Sequence, residues 1–191
     1  MKFFFTKKYE SITKKGGFTL LETLVAISIL VIAITATFSA AQNGLSSALD
    51  VRDQITAFYL AQEAVEMVRN TRDSNSIERA ENPAAIPAIS WIKGLAENLS
   101  DPCAFGKVCI VDATNNVFTA CPTGSGSCPN MRKDSTAGLY GYNGSWNTTS
   151  FNREITLSPV NPTELVVEVT VTWGRSTTRS FTVNEVLRDW Q

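Results

Sequence analysis

Lys14-Lys15-Gly16-Gly17-Phe18-Thr19-Leu20-Leu21-Glu22 leads into a stretch that carries no charge from Thr23 to Leu49. Phe18 to Ala41 is apolar except for small hydroxyl residues and a single carboxylate, Glu22, near its start. As a helix that run extends ~36 Å at ~1.5 Å per residue, enough to cross a hydrocarbon core of ~30 Å. A carboxylate inside a spanning helix costs on the order of a few kcal/mol, so Glu22 calls for a partner or a function.

The residues before the run fix its orientation. Met1–Gly17 carries Lys2, Lys7, Lys8, Lys14 and Lys15 against Glu10, a net of +4, leaving 12 basic and 17 acidic side chains (net −5) beyond it. A positive flank stays on the cytoplasmic side, which places the C-terminal part outside. An ordinary secretory signal would be cut after its apolar run, and Ser39-Ala40-Ala41 offers only a faint site of that kind.

The quoted residues closely resemble the class III signal of type IV prepilins and type II secretion pseudopilins, Gly-Phe-Thr-Leu-x-Glu followed by about twenty apolar residues. The resemblance implies that a prepilin peptidase, also the methyltransferase, cuts between Gly17 and Phe18 and N-methylates Phe18. It implies that Glu22, aided by Thr19, docks the subunit on its neighbour. It further implies residence in the inner membrane before assembly, contact with an inner-membrane assembly platform and with other pilins, and a final place in a pilus on the cell surface or a periplasmic pseudopilus. Leu20-Leu21-Glu22-Thr23-Leu24-Val25-Ala26-Ile27 looks like the Leu-Glu-x-Leu-Val-Ala form common in V-type minor pilins and I-type pseudopilins. Many major pilins have a proline where this chain has Ser39. The expected function is a structural subunit, a minor pilin, with a pseudopilin as the alternative and a bitopic receptor or enzyme behind both.

Beyond the run, the pattern becomes amphipathic. Val51, Ile55, Phe58, Ala61, Val65 and Val68 recur at helical spacing, with polar residues between. The expected organisation is a leader over 1–17, a membrane or filament-core helix half over 18–41, its amphipathic continuation over 42–70, and an extracytoplasmic α+β domain over 71–191. Gly44 marks a weak point where a bend or melted turn is expected. Asn70–Asn82 is polar and reads as a loop. Pro87 can open a short helix with Ile89, Ile92, Leu95 and Leu99 on one face.

The remainder reads as strands. Lys107–Asp112 and Val117–Cys121 flank the turn residues 113–116, and Pro122–Thr136 is rich in turn formers. Phe151–Ser158 alternates through Ile155 and Leu157. Glu164–Trp173 alternates best, with Val167, Val169, Val171 and Trp173 on one face. Gly174-Arg175-Ser176 turns the chain into Ser180–Val186, and Val186, Leu187 and Trp190 supply an apolar ending. The resemblance implies that the long helix packs on an antiparallel sheet of about four strands.

Cys103, Cys109, Cys121 and Cys128 lie in the translocated part, and an even count within 26 residues reads as two disulfides. If Ala113 faces Val117, Cys109 faces Cys121, and Cys103 and Cys128 close an outer bridge; this nested pattern is favoured. Its rival joins Cys103 to Cys109 and Cys121 to Cys128 as local loops. The chain has no histidine, which rules out Ser-His-Asp and Cys-His sites and weakens zinc, so no catalytic residue, metal or cofactor is assigned. Asp112, Asn115 and Asn116 could face calcium but are ordinary turn chemistry. Trp91, Trp146, Trp173 and Trp190 are assigned to core or interface. The mature part lacks a Lys/Arg cluster, so no nucleic-acid partner is expected.

Overall fold

The computed structural model describes residues 16–82, 90–122, 128–174 and 177–189. One helix, α1 (Leu20–Glu81, 62 residues), precedes strands β1 (Val108–Asp112), β2 (Val117–Ala120), β3 (Asn130–Lys133), β4 (Tyr140–Gly141), β5 (Asn147–Asn161), β6 (Glu164–Trp173) and β7 (Arg179–Arg188). The chain divides into two compact units, residues 1–48 and 49–191.

The second unit is an antiparallel sheet organised on β5. One edge of β5 pairs with β6 from Asn152↔Thr172 to Asn161↔Glu164. Its other edge serves β3 through Asn147–Asn152 and β1 through Ile155 and Thr156. β6 then pairs with β7 along ten residues, from Glu164↔Arg188 to Trp173↔Arg179. Alternation in β6 is borne out: Val167, Val169, Val171 and Trp173 are buried and Glu168 is exposed.

The helix lies on this face through its second half, and its buried residues are Ala57, Leu60, Ala61, Ala64, Val65 and Val68, then Arg72, Asn75 and Ser76. Ala57, Ala61 and Ala64 share one buried cluster with Val167, Val169 and Val171 of β6. This seam differs from the expected stripe. Ala61, Val65 and Val68 belong to it, whereas Val51, Ile55 and Phe58 stay 53, 51 and 40% exposed. Gly44 sits inside α1, with helix on both sides.

Asn70–Asn82 proves to be helix rather than loop, up to Glu81. Its polar side chains are turned to structural use. Arg72 Nη1 donates to Arg188 O at 2.8 Å. Asn75 Nδ2 donates to Trp91 O and Lys93 O at 3.1 and 3.0 Å. Arg79 Nη1 meets both oxygens of Asp189 at 2.9 Å. The bonds from Arg72 and Asn75 satisfy backbone carbonyls that a packed apolar turn would strand.

Residues 90–101 form turns, not the expected helix, and Gly94 takes φ +76°, which ends any helical course there. Leu95 is buried while Leu99 is 85% exposed; Pro87 and Ile89 of that expectation lie outside the described residues. Residues 1–15 of the expected leader 1–17, and Arg175, Ser176 and Trp190, also lie outside them. Strand β3 occurs where loop was expected and β4 follows it, each with a single buried residue, Met131 and Gly141. Gly141 is required by close approach, because a Cβ there would come within 2.9 Å of Asp112 Oδ1 and of the Trp146 ring.

The cysteine pairing is corrected. In the β1–β2 hairpin Asp112, not Ala113, faces Val117, so Cys109 lies opposite Ala120. Asn116 adopts φ +54° to close this four-residue connection. A one-residue shift sends Cys121 to the other face of the ladder and removes the facing pair that the nested pattern needs. The bridges are Cys103–Cys109 and Cys121–Cys128, with Cα separations of 5.1 and 5.0 Å.

Candidate functional site

The N-terminal unit is built for an apolar medium. Thr19 caps α1: its Oγ1 accepts from Glu22 N–H at 3.3 Å, and its carbonyl accepts from Thr23 N–H at 3.1 Å. Thr19-Leu-Leu-Glu22 is thus a capping-box sequence, a signal the motif reading passes over. Glu22 sits in the first helical turn, where the helix dipole favours a negative charge. Thr19 and Glu22 therefore lie together, one capping and one facing out.

Four hydroxyls of this half are satisfied within the helix. Thr23 Oγ1 donates to Leu20 O at 2.9 Å, Ser28 Oγ to Leu24 O at 2.8 Å, and Thr37 Oγ1 to Ile34 O at 2.9 Å; Thr35 bonds Val31 O in the same way. Such bonds hide polar atoms that lipid cannot satisfy. Leu20, Leu21, Leu24, Ile27, Leu30, Val31, Ile34 and Phe38 are all exposed. The helix is long and apolar enough to cross a membrane, and none of its most apolar window is buried. Glu22 is the one ionisable side chain between Gly16 and Leu49.

The second unit holds its part of α1 through Arg153, which sequence reading did not single out. Arg153 projects from β5 and is wholly buried. Its Nη1 donates to Leu60 O at 2.9 Å and to Glu63 Oε2 at 2.6 Å; its Nη2 donates to Val111 O at 2.6 Å. One guanidinium therefore ties α1 and β1 to the centre of the sheet. Burial pushes the neighbouring Tyr142 phenol above its ordinary value, partly opposed by the Arg153 cation. The alternation of Phe151, Arg153, Ile155 and Leu157 is the signal that would have placed this arginine on the core face.

Helix and edge strand are joined further along β7. Asp50 pairs with Arg179 at 2.8 Å, Phe58 meets Phe181 edge to face at 5.6 Å, and Arg69 pairs with Glu185 at 2.5 Å. The β1–β2 turn uses its own carboxylate: Asp112 accepts from Thr114 N, Thr114 Oγ1 and Asn115 Nδ2. Among the described residues, no group of three metal-ligating side chains is assembled. Trp91 and Trp173 are core, Trp146 is half-buried, and Trp173 stacks near Phe151.

The family model described as the prokaryotic N-terminal methylation motif matches residues 12–38, the span from the end of the basic leader through Phe38. No curated protein and no solved structure gives a significant match.

Proposed function

We propose that this chain is a prepilin of the type IV pilin and pseudopilin family, a reading that the methylation motif over residues 12–38 supports, and that within the family it is a minor pilin. It is cut between Gly17 and Phe18, methylated on Phe18, held in the inner membrane by its apolar helix half, and assembled into a filament through that helix. The observation that carries the reading is the methylation signal running directly into an exposed apolar helix with one carboxylate. In the bilayer this helix stores the subunit. Transfer into a bundle of like helices changes apolar burial little, so packing and polar pairing must supply the preference.

Cleavage frees an ammonium group at Phe18, which stays protonatable after methylation. In a water-poor bundle that cation and the Glu22 carboxylate attract far more strongly than in water, while desolvation offsets part of the gain. Glu22 thereby sets register between subunits. Thr19, by capping the helix at Glu22 N–H, orients the first turn that presents this carboxylate. The Leu-Glu-x-Leu-Val-Ala pattern supports the minor class and equally an I-type pseudopilin, which would act in secretion rather than in a surface pilus.

The test is Glu22→Val in the full prepilin, with Gly17→Val as the processing control. Glu22→Val is expected to be cleaved yet poorly incorporated, and Gly17→Val to keep its leader. Incorporation of Glu22→Val at the parental level would show that Glu22 is not the docking group. Loss of protein export without loss of surface pili in a deletion strain would favour the pseudopilin.

A further inference from the structure

The dipeptide Asn-Gly occurs twice in the chain, at Asn43-Gly44 and at Asn143-Gly144, and all four residues are exposed. The chemistry open to such a pair is internal. The glycine nitrogen can attack the asparagine side-chain amide, and a glycine has no Cβ to shield the approach. The two sites differ in their backbone. Gly44 lies inside α1, where its N–H is held in the helical ladder and cannot act as a nucleophile. Around Asn143 the polar groups favour the attack. Gly144 N–H donates to no group among the described residues, and a Cβ added at Gly144 would meet nothing within 4 Å. Asn143 Oδ1 accepts from Ser145 N–H at 3.0 Å and from Ser145 Oγ–H at 2.9 Å. The main-chain oxygen of Asn143 accepts from Trp146 N–H at 3.1 Å. That oxygen is conjugated with the Gly144 nitrogen, so the bond makes Gly144 N–H more acidic. Arg132 Nη1 fastens the same turn by donating to Gly144 O at 2.9 Å and to Trp146 O at 3.0 Å. Among the described residues Arg132 pairs with no carboxylate.

We propose that Asn143-Gly144 is a self-converting modification site, at which the folded turn changes asparagine into an acidic residue through a cyclic imide. Hydroxide takes the proton of Gly144 N–H, and the nitrogen forms a bond to Asn143 Cγ. The negative charge that develops on Oδ1 meets the two Ser145 donors, which act as an oxyanion hole already in place. The Cγ–Nδ2 bond then breaks, the side-chain nitrogen takes a proton from water, and ammonia leaves a closed succinimide. Water opens the ring at Cγ to give aspartate, or at the main-chain carbonyl to give isoaspartate. One water enters and one ammonia leaves. Either product adds one negative charge to a turn whose arginine has had only carbonyls to bond, so Arg132 gains a counter-charge. Isoaspartate also lengthens the main chain by one carbon within that turn. The site belongs to the globular unit and does not depend on the pilin reading.

The experiment holds the full-length protein in detergent at mildly alkaline pH, with both disulfides intact, and digests samples over several days for mass spectrometry. The peptide containing Asn143 is expected to gain the mass of amide-to-acid conversion and to separate into aspartate and isoaspartate forms. The peptide containing Asn43 should stay unchanged in the same samples, and should convert only when the chain is unfolded in urea. Ser145→Ala removes one of the two donors to Oδ1 and should slow conversion of Asn143 about fivefold, the worth of one hydrogen bond. Gly144→Ala fits the open space around the turn and should slow it further. Conversion of Asn43 as fast as Asn143 in the folded protein overturns the inference. So does an Asn143 that stays intact while the unfolded chain converts. An unchanged rate in Ser145→Ala, at an unchanged thermal midpoint, shows that the turn gives no assistance and overturns it as well.

Discussion

Replacing Arg153 by Met keeps most of the aliphatic stem and removes the guanidinium, so it isolates the tie between α1, β1 and β5. Three bonds disappear, to Leu60 O, Glu63 and Val111 O. Removing one partner of a buried ion pair costs ~3–5 kcal/mol, largely through the charge left behind. Here the orphan is Glu63, whose side chain is 39% exposed and can turn to water. That relief places the expected loss at the lower end, ~3 kcal/mol. For a chain of this size 1 kcal/mol moves the midpoint by ~2–4 °C, which gives a fall of about 6–12 °C. Thermal unfolding of the full-length protein in detergent, followed by the fluorescence of buried Trp91 and Trp173, reads it directly. Glu63→Gln should cost less, ~1 kcal/mol, because Arg153 keeps both carbonyls. The double variant should fall short of the sum of the two, since no charge is left unpaired. An Arg153→Met midpoint within ~2 °C of the parent would refute the claim that this arginine holds the helix on the sheet.

Two further outcomes follow from the same geometry. Non-reducing peptide mapping should join Cys103 to Cys109 and Cys121 to Cys128, and replacing either pair by Ser should cost ~2 kcal/mol for so short a loop; a peptide linking Cys109 to Cys121 would restore the nested pattern. Tyr142 is neutral and its pKa raised by burial, so the unfolded chain loses this proton at a lower pH than the folded one. Stability should therefore fall as pH rises through the ordinary tyrosine value of 10.0, and Tyr142→Phe should flatten that fall; an unchanged alkaline slope would contradict it.

The parts legible in the sequence were those where one periodicity acts alone. β6 alternates cleanly because one face meets α1 and the other does not, and the apolar run of α1 meets no competing signal. Elsewhere polarity misled. Arg72, Asn75 and Arg79 look like loop residues, but each spends its polarity on carbonyls or a carboxylate of the tail and of residues 91–93, which keeps the helix going to Glu81. The helical stripe was half right because two apolar faces coexist on α1, a small-residue face against the sheet and an aromatic one along β7. The hairpin was placed correctly but one residue out of register, since Asp112 stays in the ladder and Asn116 takes the left-handed turn position. That single step exchanged one disulfide pattern for the other. At the N-terminus the motif was plain, whereas the capping role of Thr19 needed the helix start to be known.

The central claim, that this is a prepilin whose helix survives processing, is tested most directly at its N-terminus. Surface filaments sheared from cells that make the chain, digested and examined by mass spectrometry, should yield a terminal peptide beginning at Phe18 and carrying one N-methyl group. A terminal peptide beginning at Met1, or one beginning after Ala41 with the apolar helix removed, would contradict the account.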